Sequence, residues 1–464
     1  MVVLKFGGTS VEDGAAIRRL AAIVADRRAE QPVVVVSALA KVTDRLLDLA
    51  SLALSGQTEA AETWLDALRQ RHLQTLRELV GEQPRAIPER DMTTLCTALG
   101  ELLHGIAAVG ELTDRTRDAV LGFGERLSSV LVAAALQDAG LPTVAVDARK
   151  VIVTDEQFTQ AQPLYPETQR RVEEELRPLL AGGSIPVLGG FIGATRQGIG
   201  TTLGRGGSDF SASILGALLE AERVEIWTDV DGMLTADPRI CAATRRIKVI
   251  SFAEAAELAY FGAKVLHPAT LLPAMQRNIP VWVLNSRAAL PGPPDGKRTG
   301  TLITTRGPRS RNAFKGLSCK RRIAVLDVVS TRMLMAHGFM KAIFDVFAAH
   351  QCPVDMVSTS EVSVSLTVAE TGALPAIADD LGRFADVRYE GRKAIVCLVG
   401  EGLRDTPAVA ARVFSALGDI NVRMISQGAS EINMGLVMDD DDVPRAMQQL
   451  HAEFFTDVDP AVFA

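Results

Sequence analysis

Between Ile185 and Arg239 the chain reads as strand, glycine-rich loop, helix, strand and a second polar loop, an order that few folds accommodate. Ile185-Pro-Val-Leu is an apolar run suited to a buried strand, and Gly189-Gly-Phe-Ile-Gly ends it. The loop Gly198-Ile-Gly-Thr-Thr-Leu-Gly-Arg-Gly-Gly closes on Ser208-Asp209, residue types that cap helices, and Phe210 to Glu222 continues as a helix. Glycine lets backbone N–H groups approach an anion, the helix start adds its positive dipole end, and Arg205 offers a planar fork for carboxylate or phosphate. Val224-Glu-Ile-Trp-Thr228-Asp229 makes the next strand, and Asp231-Gly-Met-Leu-Thr-Ala-Asp237-Pro-Arg239 follows it. The layout suits a small anionic substrate beside a nucleotide. Taken alone, such a loop is most often only a tight turn. It lacks the Gly-Lys-Ser/Thr ending of a P-loop and the spacing of the dinucleotide fingerprint.

With 464 residues the chain exceeds one ordinary core, so two or three domains are expected. No apolar run approaches the ~18 residues of a membrane helix, and Met1-Val-Val-Leu-Lys-Phe-Gly-Gly does not read as a signal peptide. A net charge of −7 without any Lys/Arg run argues against nucleic acid as partner. Cys96, Cys241, Cys319, Cys352 and Cys397 are odd in number, scattered and without metal-ligand spacing. Reduced thiols, a cytoplasmic location and no protein-bound metal centre are the expectation.

Two more turns lie at strand ends, where ligands of open α/β sheets collect. Val2-Val-Leu-Lys5-Phe runs into Gly7-Gly8-Thr9-Ser10, which leaves Lys5 leaning toward whatever the turn binds. Gln31-Pro-Val-Val-Val-Val-Ser37 is apolar throughout, as in a parallel sheet covered on both faces, and ends in Ser37-Ala-Leu-Ala-Lys41-Val-Thr43. Residues 44–120 read as a helical insertion, and Gly122-Phe-Gly-Glu125-Arg126 opens a further helix. A carboxylate there complements the helix dipole, and it is also what a substrate ammonium needs. Ser251 to Gly262 reads as a capped helix with Lys264 just beyond; His267, before a proline, reads as structural. Pro291-Gly-Pro-Pro-Asp-Gly-Lys-Arg-Thr-Gly is linker-like.

The C-terminal third repeats a βαββαβ pattern. Met356-Val-Ser…Ser360-Glu361-Val in one copy matches Met424-Ile-Ser…Ser430-Glu431-Ile in the other. Neither copy carries an acid–base or nucleophile cluster, so ligand sensing and dimerisation fit better than catalysis.

Lys5-Phe-Gly-Gly-Thr-Ser, Gly124-Glu-Arg-Leu-Ser, Thr202-Leu-Gly-Arg-Gly-Gly-Ser-Asp, Ile226-Trp-Thr-Asp-Val-Asp-Gly and Phe261-Gly-Ala-Lys-Val-Leu-His-Pro stand in order. Followed by that repeat, they resemble the aspartate kinase family over essentially the whole chain. The resemblance implies an α/β chain: an amino-acid-kinase (carbamate-kinase-like) three-layer αβα domain with a mostly parallel sheet, then two α+β ACT domains. Expected bounds are 1–295 for the kinase domain, 296–315 for a linker, 316–390 and 391–464 for the ACT domains. The implied reaction moves the γ-phosphoryl group of ATP, with Mg²⁺ held mainly by the phosphates, to the β-carboxylate of L-aspartate. Feedback by an end-product amino acid is also implied. Ser37, Thr43, Glu125, Arg205 and Ser208 match the family's aspartate site. Lys5, Gly7, Gly8, Thr228, Asp229, Leu234, Asp237, Arg239 and Lys264 match its ATP site, with Leu234 standing where many members have an aromatic residue. Lys5 is expected to bridge the phosphates, with the Gly7, Gly8, Gly206 and Gly207 amides and Lys264 assisting, and Asp209 to orient Lys5. Met333, Ala336, Gly338, Phe339, Met340, Val354, Asp355, Thr359 and Ser360 resemble the effector site of lysine-inhibited members, which puts lysine ahead of threonine. Asp355 would take the effector ammonium, and a homodimer or dimer of dimers through the ACT domains is implied. The rivals are another kinase of the same fold, a catalytically silent amino-acid sensor and a nicotinamide-dependent oxidoreductase. The first lacks a use for Thr43, Glu125 and Arg205 together, the second would have lost Lys5, Asp209 or Lys264, and the third needs the missing dinucleotide fingerprint.

Overall fold

The computed structural model describes residues 1–262, 267–288, 299–308, 310–330, 337–403, 406–428 and 430–464. Runs of buried valine build its first sheet. Every residue of Val2–Phe6 and Pro32–Val36 is buried, as expected of strands covered on both faces. Within the first unit, Met1–Met233 with Val265–Arg306, the strand order is Thr143–Val146, Ile185–Gly189, Pro32–Val36, Val2–Phe6, Arg223–Thr228, Val281–Asn285 and Gly300–Thr304. All neighbours are parallel except the last pair. The carboxyl ends of Val2–Phe6, Pro32–Val36, Ile185–Gly189 and Arg223–Thr228 therefore share one edge, and the three turns singled out from sequence all emerge there.

The helical insertion is Val42–Leu54, Thr58–Leu79 and Ala86–Val109, followed by Asp114–Leu121 and Phe123–Asp138. Contrary to expectation, Ala86–Val109 and the stretch Asp114–Asp138 are each long and apolar enough to cross a membrane by length and composition. Their apolar residues Met92, Leu99, Leu103, Leu127 and Leu131 are instead buried in the unit's own core, which is the pattern of helices packed on a sheet.

Three local expectations change. Part of the glycine-rich loop is a strand: Gly200–Thr202 pairs antiparallel with Ile192–Thr195, and Gly198 turns the corner at φ +82°. The following helix is Gly207–Leu219, one turn earlier than the capping residues suggest, with Gly206 at φ +72° as its N-cap and no side-chain cap. Ser208 and Asp209 thus lie in its first turn with their side chains unused as caps. The expected linker is not a free connector, because Gly300–Thr304 returns to the first sheet; the linker-like run at 291–298 lies outside the described residues.

The second unit is Leu234–Lys264 with Gly307–Ala464, so residues 234–264, expected in the kinase domain, pack with the C-terminal repeat. Their anchor is Glu254 in the helix Phe252–Tyr260, fully buried and supplied with Lys315 Nζ at 2.8 Å, Ser251 N and Oγ at 2.9 Å, and Glu401 N at 3.1 Å. The repeat forms a single antiparallel sheet ordered Val354–Thr359, Ser363–Ala369, Gly316–Val329, Asp386–Val399, Asn433–Asp439, Met424–Gln427. Its two copies are not consecutive. Gly316–Lys320 pairs with Ile395–Val399 in the second copy, and Ile323–Val329 pairs with Ser363–Ala369 in the first. Register shifts near Lys320 and Ile323, with Arg322 and Arg392 at positive φ, let one long strand serve both. The fourth strand of the second copy therefore comes from ahead of the first copy. The expected final strand is absent among the described residues: Phe463 makes only an isolated bridge to Ile247.

Candidate active site

Lys5, near the end of its strand, is nearly buried, and its Nζ lies 2.6 Å from Asp209 Oδ1. Around this pair opens a cleft of about 820 Å³, lined also by Gly8, Ser37, Thr43, Glu125, Arg205 and Ser208. Every residue proposed from sequence for aspartate binding or catalysis is among its walls. Two glycines permit the crowding. A Cβ on Gly189 would stand 2.8 Å from the Glu125 Cβ, and one on Gly190 would stand 2.8 Å from the Ser208 Cα, so both helices approach the strand end only because side chains are missing there.

Glu125 is 3% exposed. Its Oε1 accepts the Ala38 N–H at 3.1 Å, while Oε2 has no hydrogen-bond partner. Burial pushes its pKa up to about 7, opposed by the Ala38 bond. A buried carboxylate oxygen with no donor is costly until a cation arrives. Arg205, in the same cleft's lining, is exposed, with no carboxylate within ion-pair distance among the described residues. The cleft thus offers a seat for an ammonium, a fork for a carboxylate and a lysine fixed by Asp209.

The expected amide cradle is smaller than the glycine count suggests. The Gly7 N–H donates to Trp227 O at 3.0 Å and the Gly207 N–H to Gly204 O at 3.0 Å, which leaves Gly8 and Gly206 of the expected set. Thr228 and Asp229 follow Trp227, the register partner of Phe6, so they emerge beside Gly7 on the same edge. Leu234, Asp237 and Arg239 belong to the second unit, where Arg239 forks onto Asp237 through Nε at 3.0 Å and Nη2 at 2.5 Å. Lys264 lies outside the described residues. Sequence reasoning missed Lys41, Arg117, Thr159, Phe191 and Thr202, all in the cleft wall. Lys41, Thr159 and Phe191 have positive φ, and a bulky residue in that conformation leaves no compositional mark. His267, expected to be structural, packs against Gly206, where an added Cβ would stand 2.9 Å from the His267 Cβ.

In the second unit, the described residues of the expected effector set lie along the strand Val354–Thr359, just beyond it and at the start of the helix Phe339–Ala349. The Asp355 side chain is fully buried and accepts from Tyr260 Oη at 2.8 Å and Lys320 Nζ at 2.6 Å, both on Oδ1, while Oδ2 has no hydrogen-bond partner. Gly338 caps the helix Phe339–Ala349 at φ +88°, Phe339 meets Phe384 edge-on, Met340 and Val354 pack on the core of the first copy, and Ser360 bonds Ser363. Thr359 ends the strand. Met333 and Ala336 lie outside the described residues.

A model of the amino acid kinase family matches residues 1–285, and an ACT domain model matches residues 396–454. The chain is similar to lysine-sensitive aspartokinase 3 of Escherichia coli (strain K12), 37% identical, with 98% of this chain and 99% of that one covered. Among solved structures it resembles E. coli aspartokinase III in complex with aspartate and ADP (R-state), with a TM-score of 0.85, 35% identity, and 98% of this chain and 100% of that one covered. It also resembles that enzyme in complex with lysine and aspartate (T-state), with a TM-score of 0.78, 35% identity and coverage of 98% and 99%.

Proposed function

The chain belongs to the aspartokinase family, and on that premise we propose how its first unit carries the family reaction, transfer of the ATP γ-phosphoryl group to the β-carboxylate of L-aspartate. The carrying observation is that Lys5, Ser37, Thr43, Glu125, Arg205, Ser208 and Asp209, scattered over two hundred residues, line one cleft with Lys5 and Asp209 paired at 2.6 Å.

The acceptor carboxylate has a reference pKa of ~3.9, so it is ionised at neutral pH and needs no general base. The barrier is the approach of one anion to another. Lys5 would bridge the phosphates and follow the charge that develops during transfer, with Asp209 holding its ammonium in place. The paired geometry supports orientation rather than proton abstraction for Asp209. Arg205 would grip the substrate α-carboxylate through two parallel hydrogen bonds, and Glu125 its ammonium through the unpartnered Oε2. Ser37, Thr43 and Ser208 would complete the substrate's polar contacts. Gly8, Thr228 and Asp229 would face the nucleotide. Mg²⁺ would arrive with the nucleotide, held mainly by its phosphates, and would offset their charge.

The second unit would bind an inhibitory amino acid, lysine ahead of threonine, at the patch around Asp355. Assembly as a homodimer or dimer of dimers and a cytoplasmic location belong to the same proposal, the latter supported by five free thiols. The test is ADP release dependent on L-aspartate, with the acyl phosphate trapped as its hydroxamate, with and without lysine or threonine. Turnover without aspartate, or with acetylglutamate in its place, would overturn the reading.

A further inference from the structure

Behind the cleft wall lies a carboxylate that the mechanism does not use. Asp118, in the helix Asp114–Leu121, is 1% exposed and does not line the cleft; it faces a separate cavity of about 170 Å³ beside Arg126 and Arg149. Its Oδ2 accepts two backbone amides, Thr159 N at 2.8 Å and Thr202 N at 2.9 Å, and its Oδ1 accepts Thr202 Oγ1 at 2.7 Å. Both threonines are in the cleft wall.

The two segments they belong to are in close contact. Ala161 N donates to Thr202 O at 2.9 Å, and a Cβ on Gly204 would stand 3.2 Å from Thr159 O. Thr159 has φ +71°, a conformation a β-branched residue holds only when its surroundings insist. Gly204 and Gly206, on either side of Arg205, have positive φ, and the Gly207 N–H to Gly204 O bond at 3.0 Å closes a tight turn around it, so the direction of Arg205 follows from where that turn is anchored. The fixed points before it are Thr202, held by its strand pairing and by Asp118, and the buried Leu203, whose N–H donates to Phe191 O at 2.8 Å.

We propose that Asp118 is a positioning residue for aspartate recognition: its buried carboxylate staples the 159–161 and 200–204 segments together and so sets where Arg205 presents its fork. The inference rests on the reading of Arg205 as the α-carboxylate clamp. A clamp displaced by a fraction of an ångström loses its two-bond geometry, while the Lys5–Asp209 pair, on other elements, keeps its own.

The experiment is an initial-rate comparison on the full chain, varying aspartate and ATP separately, for Asp118→Ala, Asp118→Asn and Arg205→Lys. Asp118→Ala should raise the aspartate KM about 10- to 100-fold, with ATP KM within about twofold and kcat lowered far less than KM is raised. Asp118→Asn keeps a carbonyl for the two amides and should raise it only about threefold, so the acceptor is what matters. If Asp118→Ala does not fold, the Asp118→Asn split between the two KM values carries the test. Equal losses in both KM values and kcat, or a lowered melting temperature with unchanged aspartate KM, would overturn the inference. If Arg205→Lys raises the aspartate KM and neither Asp118 variant does, the staple alone is refuted. If Arg205→Lys leaves it unchanged, the clamp reading falls and takes the staple with it.

Discussion

Glu125 in the first unit and Asp355 in the second are both carboxylates proposed to receive an amino acid's ammonium, and the fold treats them differently. Among the described residues Glu125 has one backbone donor and no cation, and burial raises its pKa to about 7. Asp355 already holds Lys320 and Tyr260 on one oxygen, with its own side chain fully out of solvent. Glu125 leaves one oxygen without a donor, whereas Asp355 already holds an ammonium from within the chain. Under the proposed roles, substrate binding would relieve an unpaired carboxylate, and effector binding would compete with an internal ammonium.

The largest test of the first half is Lys5→Met, which should lower kcat about 100- to 1,000-fold with modest KM changes, read in the ADP-release assay. A variant with near-full turnover removes Lys5 from the chemistry. Arg205→Lys should raise the aspartate KM about tenfold or more and spare the ATP KM, because a point charge cannot reproduce the fork. Equal effects on the two would place Arg205 elsewhere.

Glu125 sharpens the contrast through pH. An ammonium partner lowers a carboxylate pKa, so below about 7 each bound aspartate must expel the Glu125 proton. The aspartate KM should then rise as pH falls, by about tenfold per unit at the limit, and Glu125→Gln should bind weakly at every pH without that slope. In stability the sign is opposite. A carboxyl raised from 4.5 favours the protonated fold, so the unliganded protein should lose stability as pH climbs through about 7, and aspartate should restore it in a thermal melt. A flat KM profile would contradict the empty-seat picture.

The smallest expected effect belongs to the second unit. Lys320→Met should lower the lysine concentration for half-inhibition about two- to fivefold, since a partly exposed ion pair is a weak competitor. Weaker inhibition would mean that Lys320 assists the effector instead of standing in for it.

How much of this could be read from residues alone follows one line. Lys5, Glu125, Arg205 and Asp209 sit in short local patterns at strand ends and helix starts, and a parallel sheet must gather such ends on one edge. Joined to the family resemblance, that logic picks out these four residues of the cleft wall, but not Lys41, Arg117, Thr159, Phe191 or Thr202 of the same wall. It failed where the determining partner is distant in sequence. Asp118 looks like an ordinary helix residue until Thr159 and Thr202 fold back onto it, and Lys320 looks like a strand lysine until Asp355 arrives beside it. The glycine turns misled in the other direction: each offered an amide, yet the distant Trp227 carbonyl claims that of Gly7 and the turn's own Gly204 carbonyl claims that of Gly207.

Periodicity, turn chemistry and residue type thus determined the elements, the repeat and the charge inventory, because these are properties of neighbours along the chain. Only the tertiary structure decided that Gly316–Lys320 completes the second copy, that residues 234–264 join the C-terminal unit, and which carboxylates stand empty. Those outcomes depend on pairings between segments far apart in sequence, where local preference is silent and burial of the pair settles the choice.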